Sequence, residues 1–191
     1  MNKPYFESLN NQFLVAMPEL ADRNFSRTVT LICQHDSNGA IGIIVNRTIE
    51  SLSINDVLNQ CSLPKANSTS VGLQPIHNGG PVHPELGLVL HRNNEKWDST
   101  LDISQDLHLT SSRDALEAIG QKGESRNYLL ALGYAGWSAG QLDSELKQNS
   151  WLTVPADPRI IFDVSIDKRW LEAIAFLGID IANLSRSGGH A

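Results

Sequence analysis

The sequence has few cysteines and no long hydrophobic run. Its two cysteines, Cys33 and Cys61, form no Cys-x-x-Cys pair, so their spacing supports neither a zinc ribbon nor a thioredoxin-type redox site. The first apolar stretch covers only residues 13–17, and no basic segment precedes it. We therefore expect no signal peptide and no membrane span. Two isolated thiols indicate a reducing cytoplasm, with a disulfide between them as the open alternative.

Clustered positive charge is also missing. The 191 residues include 15 Lys and Arg against 21 Asp and Glu, which gives a formal net charge of −6. Proteins that bind nucleic acid need Lys and Arg grouped on one surface to neutralise phosphates. The helix predicted at 53–60 is followed by Pro64 and a polar loop, whereas a helix-turn-helix requires a second helix there. Direct DNA binding is therefore the least supported of the functions considered.

Motifs for catalysis and metal binding are absent as well. The sequence contains no Gly-x-Ser-x-Gly elbow, and its glycine-rich segment at 133–141 follows neither of the usual phosphate-loop patterns. His77, His83 and His91 have a spacing that matches no standard set of metal ligands. We therefore predict no metal site, no cofactor and no catalytic constellation, which favours a non-enzymatic protein.

The pattern of apolar residues predicts strands mixed with helices. Residues 28–46 alternate at period two on both sides of an Asp-Ser-Asn-Gly turn and are typical of a β-hairpin. Without a strict strand–helix rhythm, this order favours an α+β fold with a mainly antiparallel sheet in one domain spanning 1–191. Helices are predicted from Ser53, from Ser111, over 138–148 and from Ser165 or Asp167; later strands are predicted at 128–135, 151–154 and 158–164.

Several ordered segments together resemble the AlgH/YqgE family of bacterial proteins. They are FLVAMPELAD (13–22), FSRTV (25–29), GAIGIIVNR (39–47), NGGPV (78–82), GYAGWSAGQL (133–142) and LGIDIANLS (177–185) with GHA (189–191). The resemblance implies an α+β fold with a small, closed, barrel-like sheet surrounded by helices. It implies no established biochemical activity, although one family member is labelled a transcriptional regulator of alginate synthesis. A shared fold does not by itself supply a reaction.

Two groups of polar residues within these segments are candidates for binding an anion or a partner. Arg27, Asn46 and Arg47 lie at the open end of the predicted hairpin, and His35 lies near its turn. Two arginines at one end could grip a carboxylate, or they could instead pair with Asp22, Glu50 or backbone carbonyls to fix loops.

The second group surrounds a turn. Gly79 and Gly80 could form a nest of backbone N–H groups beside His77, or they could simply permit a tight turn. The sequence thus predicts a cytoplasmic binding or regulatory module with a protein partner. A small-molecule site or enzyme near the Gly79–Gly80 turn stays open as the alternative.

Overall fold

A computed structural model describes residues 7–92, 95–122 and 127–178. Within these ranges it contains ten strands and six α-helices. The strands are β1 (Gln12–Ala16), β2 (Val29–Asp36), β3 (Gly39–Ile44), β4 (Thr48–Ser53), β5 (Pro75–Asn78), β6 (Val82–His91), β7 (Thr100–Asp102), β8 (His108–Thr110), β9 (Tyr128–Ser138) and β10 (Trp151–Pro155). The helices are α1 (Ile54–Gln60), α2 (Thr69–Gly72), α3 (Arg113–Lys122), α4 (Gln141–Lys147), α5 (Pro158–Phe162) and α6 (Arg169–Ala175), with a short 3₁₀ helix at Ile166–Lys168.

The strands form one curled sheet in the order β10-β1-β2-β3-β9-β6-β8-β7. Neighbours along this path are antiparallel, whereas β5 runs parallel to β9 and also pairs with β4. The long strand β9 therefore joins β3, β5 and β6. The predicted α+β class, with its mainly antiparallel, barrel-like sheet and surrounding helices, is confirmed.

The predicted hairpin forms β2 and β3. Asp36 faces Gly39 across its turn, and Thr30 faces Ile44 at its open end. Gly39 has a φ of +137°, a backbone conformation that suits glycine because it has no Cβ.

The helices cover separate parts of the sheet. Helices α5 and α6 bury Ile160, Trp170 and Ile174 against the strands, whereas α1 and α3 bury Leu58 and Ile119 in a second cluster. The indole N–H of Trp170 donates to the carbonyl of Ala16 at 3.0 Å and thereby fixes the start of α6 beside the end of β1. None of the described helices is long and apolar enough to cross a membrane.

Two predicted elements were wrong. Residues 158–164 were predicted as a strand, but α5 begins there because the Asp157 carboxylate accepts the Arg159 N–H at 2.9 Å and Pro158 takes the first helical turn. The helix predicted from Ser138 begins three residues later, since β9 continues through Ser138 and Gly140 precedes α4 with a φ of +72°. The Gln141 side chain still accepts the Ser138 N–H at 3.0 Å, as the capping pattern predicted.

Candidate functional site

Arg47 is held by backbone carbonyls at the open end of the hairpin. Its Nη1 donates to the carbonyls of Arg23 (2.9 Å) and Asn24 (2.8 Å), and its Nη2 donates to that of Ser26 (2.7 Å). These bonds shape the loop between β1 and β2. The guanidinium therefore has the loop-fixing role that the sequence left open as the alternative to gripping a carboxylate.

Asn46 joins the two strands of the hairpin below that loop. Its side-chain carbonyl accepts the Val29 N–H at 2.7 Å, and its amide donates to the Arg27 carbonyl at 2.9 Å. Arg27 itself is exposed, has a φ of +54° and places its guanidinium 5.3 Å from the Trp170 ring. The structure thus brings Arg27, Asn46 and Arg47 together, but it uses the last two to hold the backbone.

His35 is buried and anchors the segment before β1. Its Nδ1 accepts the Leu9 N–H at 3.2 Å, and its backbone N–H donates to the Asn10 side chain at 2.5 Å. Its Nε2 lies 3.9 Å from a carboxylate oxygen of Asp143 in α4. His35 therefore lies at the far end of the hairpin from Arg47, in contact with the amino-terminal segment.

The Gly79–Gly80 turn packs directly on the backbone of β9. The Gly79 N–H donates to the Leu132 carbonyl at 2.9 Å, and a Cβ at Gly79 would lie 2.2 Å from the Gly133 oxygen. Gly80 has a φ of +149°, and a Cβ there would lie 2.2 Å from the backbone of Tyr134. Close contact between two backbones thus explains why both residues are glycine.

His77, which precedes this turn, contacts Arg169, a residue that the sequence analysis did not single out. It lies on β5, is 6% exposed, and its Nε2 is 3.3 Å from Nη1 of Arg169, the first residue of α6. Arg169 is also 6% exposed. Its Nε donates to the Val164 carbonyl at 3.0 Å, and its Nη1 donates to the Val45 carbonyl as well. Helix α6, β5 and the end of β3 therefore meet at one buried guanidinium.

Burial sets the charges of this pair. Removal from water, together with the smaller effect of the neighbouring charge of Arg169, lowers the pKa of His77 to about 3. Burial also lowers the pKa of Arg169 to about 10. At neutral pH the imidazole is therefore neutral while the guanidinium keeps its charge.

The hydrogen bond also fixes the tautomer of His77. Because Nε2 faces a guanidinium donor, it must be the acceptor, and Nδ1 must carry the ring hydrogen. Within the described part of the chain, Nδ1 is buried and has no hydrogen-bond partner. The backbone of Leu130 favours the charged imidazole but does not reach Nδ1 with hydrogen-bond geometry.

A cleft of about 140 Å³ opens beside the pair, and both side chains line it. We call it the His77–Arg169 cleft. Its inner wall comes from Leu129 and Leu130 of β9, and its rim includes Phe162 of α5. Among the described residues, no carboxylate lies within ion-pair distance of Arg169, and its Nη2 makes no hydrogen bond. The nearby Asp163 is paired with Arg92 at 3.0 Å. The cleft therefore presents a positive charge that no acidic side chain of the described ranges neutralises.

The thiols and the described histidines are the other candidate groups, and they form no metal-binding cluster. Cys33 and Cys61 are both free thiols, and burial raises the pKa of Cys33 to about 12, which makes it a poor nucleophile. Across residues 7–92, 95–122 and 127–178, no group of three or more His, Cys, Asp and Glu side chains is placed to hold a metal ion. The His77–Arg169 cleft is thus the candidate site.

Sequence comparisons extend over almost the whole chain. Residues 13–182 match the family model DUF179, which is described as AlgH-like. A UPF0301 protein from Xanthomonas campestris pv. campestris is 48% identical over 183 residues, which cover 96% of each chain. Another UPF0301 protein, from Azoarcus sp., is 47% identical over 184 residues, covering 96% of this chain and 97% of that protein.

Solved structures share the same architecture. The solution structure of the AlgH protein from Pseudomonas aeruginosa is 40% identical, covers 100% of both chains and superposes with a TM-score of 0.78. A crystal structure of a protein from Corynebacterium diphtheriae is 18% identical and has a TM-score of 0.72 over 96% of this chain and 94% of that one, a likeness in fold alone. None of these names states a ligand or a reaction, so any chemistry must come from the geometry of the site.

Proposed function

The chain belongs to the AlgH-like family, and on that premise we propose that it is a non-enzymatic binding module that holds a small anion in the His77–Arg169 cleft. The ligand's negative charge meets the guanidinium of Arg169. The neutral ring of His77 positions that guanidinium through the contact at Nε2. The sequence left open a small-molecule site near the Gly79–Gly80 turn. We place that site in the neighbouring His77–Arg169 cleft instead.

One observation carries the proposal: a buried guanidinium lines an open cleft, and none of the residues that the structure describes supplies it with a carboxylate partner. Taking a charged group out of water costs several kcal/mol unless an opposite charge compensates. Backbone carbonyls offset part of that cost, and Nη2 is left over. An anion in the cleft supplies both the missing charge and an acceptor for Nη2.

The dimensions of the cleft restrict the ligand. Clefts that hold nucleotides and other drug-sized molecules measure about 300–1,000 Å³. The His77–Arg169 cleft measures about 140 Å³, so we propose an anion no larger than a phosphate ion or a short carboxylic acid. We place this activity in the cytoplasm, where two free thiols are stable.

Thermal unfolding in the presence of simple anions tests the function. The native chain is heated with inorganic phosphate, sulfate, acetate, butyrate or succinate against sodium chloride of equal ionic strength. A ligand at about 100 times its dissociation constant adds roughly 2.7 kcal/mol, which raises the midpoint by several degrees in a chain of this length. We expect at least one of these anions to produce that rise.

Two arginine variants locate the effect. Arg169→Gln removes the charge from the cleft and is expected to abolish the anion-dependent rise. Arg47→Gln removes a guanidinium that the loop already occupies, so its midpoint is lower but its anion-dependent rise is retained. The proposal fails if no anion stabilises the native chain, or if the rise disappears in Arg47→Gln and survives in Arg169→Gln.

A further inference from the structure

The cleft holds one uncompensated positive charge. Of its described lining residues, Arg169 is the only cation, since His77 is neutral at physiological pH. Arg92 touches the rim through the Phe162 ring, at 5.2 Å, but its charge is already matched by Asp163. One charge neutralises a monoanion. A second negative charge in this cleft would lack a partner and carry an uncompensated desolvation cost.

Arg169 offers a ligand only one of its three nitrogens, and the polar side chains of Gln74 and Tyr128 also line the cleft. Nε and Nη1 of Arg169 are engaged by the carbonyls of Val164 and Val45 and by His77, which leaves Nη2 to meet a ligand. A carboxylate has two oxygens to satisfy, and one of them can face solvent at the mouth of the cleft.

Apolar side chains form much of the remaining lining, beside the polar side chains of Gln74 and Tyr128. Leu129 and Leu130 line the interior with Ile161, while Phe162 and Ile166 are half-buried at the rim. The volume of about 140 Å³ is that of roughly four or five water molecules in the liquid. A ligand that fills it places a few carbon atoms against these side chains and removes their surfaces from water.

We infer that the ligand of the His77–Arg169 cleft is a short-chain aliphatic monocarboxylate. Its carboxylate accepts from Arg169 Nη2, and its hydrocarbon chain packs between the leucines of β9 and Ile161 and Ile166. This inference rests on the proposed function, because it specifies which small anion the cleft selects.

Titration calorimetry on the full chain tests the selection with a matched ligand series. Acetate, propionate and butyrate add one methylene at a time, and each buried methylene is expected to tighten binding about threefold to fourfold. Butyramide has the shape of butyrate without its charge and is expected not to bind. Inorganic phosphate and succinate are expected to bind at least tenfold more weakly than butyrate.

The outcomes separate the two proposals. If phosphate or succinate binds more tightly than butyrate, the anion site stands and the monocarboxylate inference is wrong. If affinity does not rise from acetate to butyrate, the apolar walls do not contact the ligand and the inference is again wrong. If neither carboxylates nor phosphate nor sulfate bind, both proposals fail together.

A rim variant provides an independent test that spares the buried pair. Ile166→Glu places a carboxylate at the half-buried rim and is expected to weaken butyrate binding at least tenfold by repulsion. The matched control is Ile41→Glu, because Ile41 is 38% exposed on β3 and does not line the cleft. Unchanged butyrate affinity in a folded Ile166→Glu chain would overturn the placement of the ligand.

Discussion

Arg47 and Arg169 both donate to backbone carbonyls, yet they leave different surfaces behind. Arg47 is half-buried at the hairpin end and divides its two terminal nitrogens among three carbonyls of one loop. Arg169 is 6% exposed and joins three separate segments, and its Nη2 has no acceptor in the part of the chain that the structure describes. The same side chain therefore completes a loop in one place and lines an uncompensated cleft in the other.

On the proposed function, burial and an unused donor are the features that distinguish Arg169 from a structural arginine such as Arg47. Near water, a guanidinium that meets several carbonyls has its charge solvated and its donors satisfied. In the interior, the same carbonyls satisfy donors without supplying a full negative charge. We therefore expect a change of charge at the cleft to alter the free energy of unfolding more than the same change at the end of the hairpin.

The largest expected effect comes from removing the buried guanidinium. Arg169→Met leaves the carbonyls of Val45 and Val164 and Nε2 of His77 without their donor, at about 1–3 kcal/mol for each buried group. Relief of the buried charge offsets part of this loss. We expect the free energy of unfolding in urea to fall by about 3 kcal/mol. If Arg169→Met lowers the free energy of unfolding less than Arg47→Met does, the buried arginine contributes less to stability than the half-buried one, contrary to our expectation.

Acid is expected to weaken the cleft region through His77. Its pKa is about 3 in the folded chain and about 6.5 in the unfolded chain, so the stability from the neutral ring is fully present above about pH 6.5. As the pH falls from about 6.5 towards 3, His77 is protonated in the unfolded chain but stays neutral in the folded chain, and this difference favours unfolding. The loss is about 1.4 kcal/mol per pH unit, or about 2 kcal/mol at pH 5.

Urea titrations between pH 7 and pH 5 measure this slope. His77→Gln is expected to flatten it, because the glutamine amide does not titrate. His83→Gln serves as the matched control, since the His83 side chain is 62% exposed, and it is expected to keep the slope of the native chain. An unchanged slope in His77→Gln would show that the buried ring is not the acid-sensitive group.

The smallest effect is expected at the hairpin end. Arg47→Ala removes three bonds to carbonyls that water can reach, so we expect a loss of about 1–2 kcal/mol in urea unfolding. Arg27→Ala, which removes a guanidinium from the Trp170 ring, should cost only about 0.5 kcal/mol. Butyrate affinity should stay unchanged in both variants; a tenfold loss in either would place the ligand at the hairpin end.

Local patterns in the sequence predicted much of the fold. The hairpin of β2 and β3 follows from alternation around a turn, and the capping pattern at Ser53 correctly marks the start of α1, where Asp56 completes a capping box. The segment of α5 was misread because Ile160 and Ile161 favour strands. A single side-chain bond from Asp157, together with Pro158, outweighs that preference.

The candidate site was only half predictable. His77 precedes a turn that the sequence makes recognisable. Arg169 lies between Lys168 and Trp170, and its position is that of an ordinary charged residue at the start of a helix. Its burial comes from contact with β5, which is 92 positions away in sequence. No local pattern reports such a contact. The helical spacing of Trp170, Ile174 and Leu177 indicates the helix but not which charged residue faces inward. The protein partner predicted for the end of the hairpin with Arg27 and Arg47 stays a prediction.

The pairing of β1 with β10 has a consequence for how the chain is made. Gln12 faces Pro155 across this pair, so β1 leaves the ribosome about 140 residues before the strand that pairs with one of its edges. At a synthesis rate of about 5–20 residues per second, one edge of β1 stays unpaired for roughly 7–30 s. Leu14 and Val15 are fully buried in the finished sheet. Until β10 is made, the edge of β1 opposite β2 has unpaired backbone groups, which can pair with another chain.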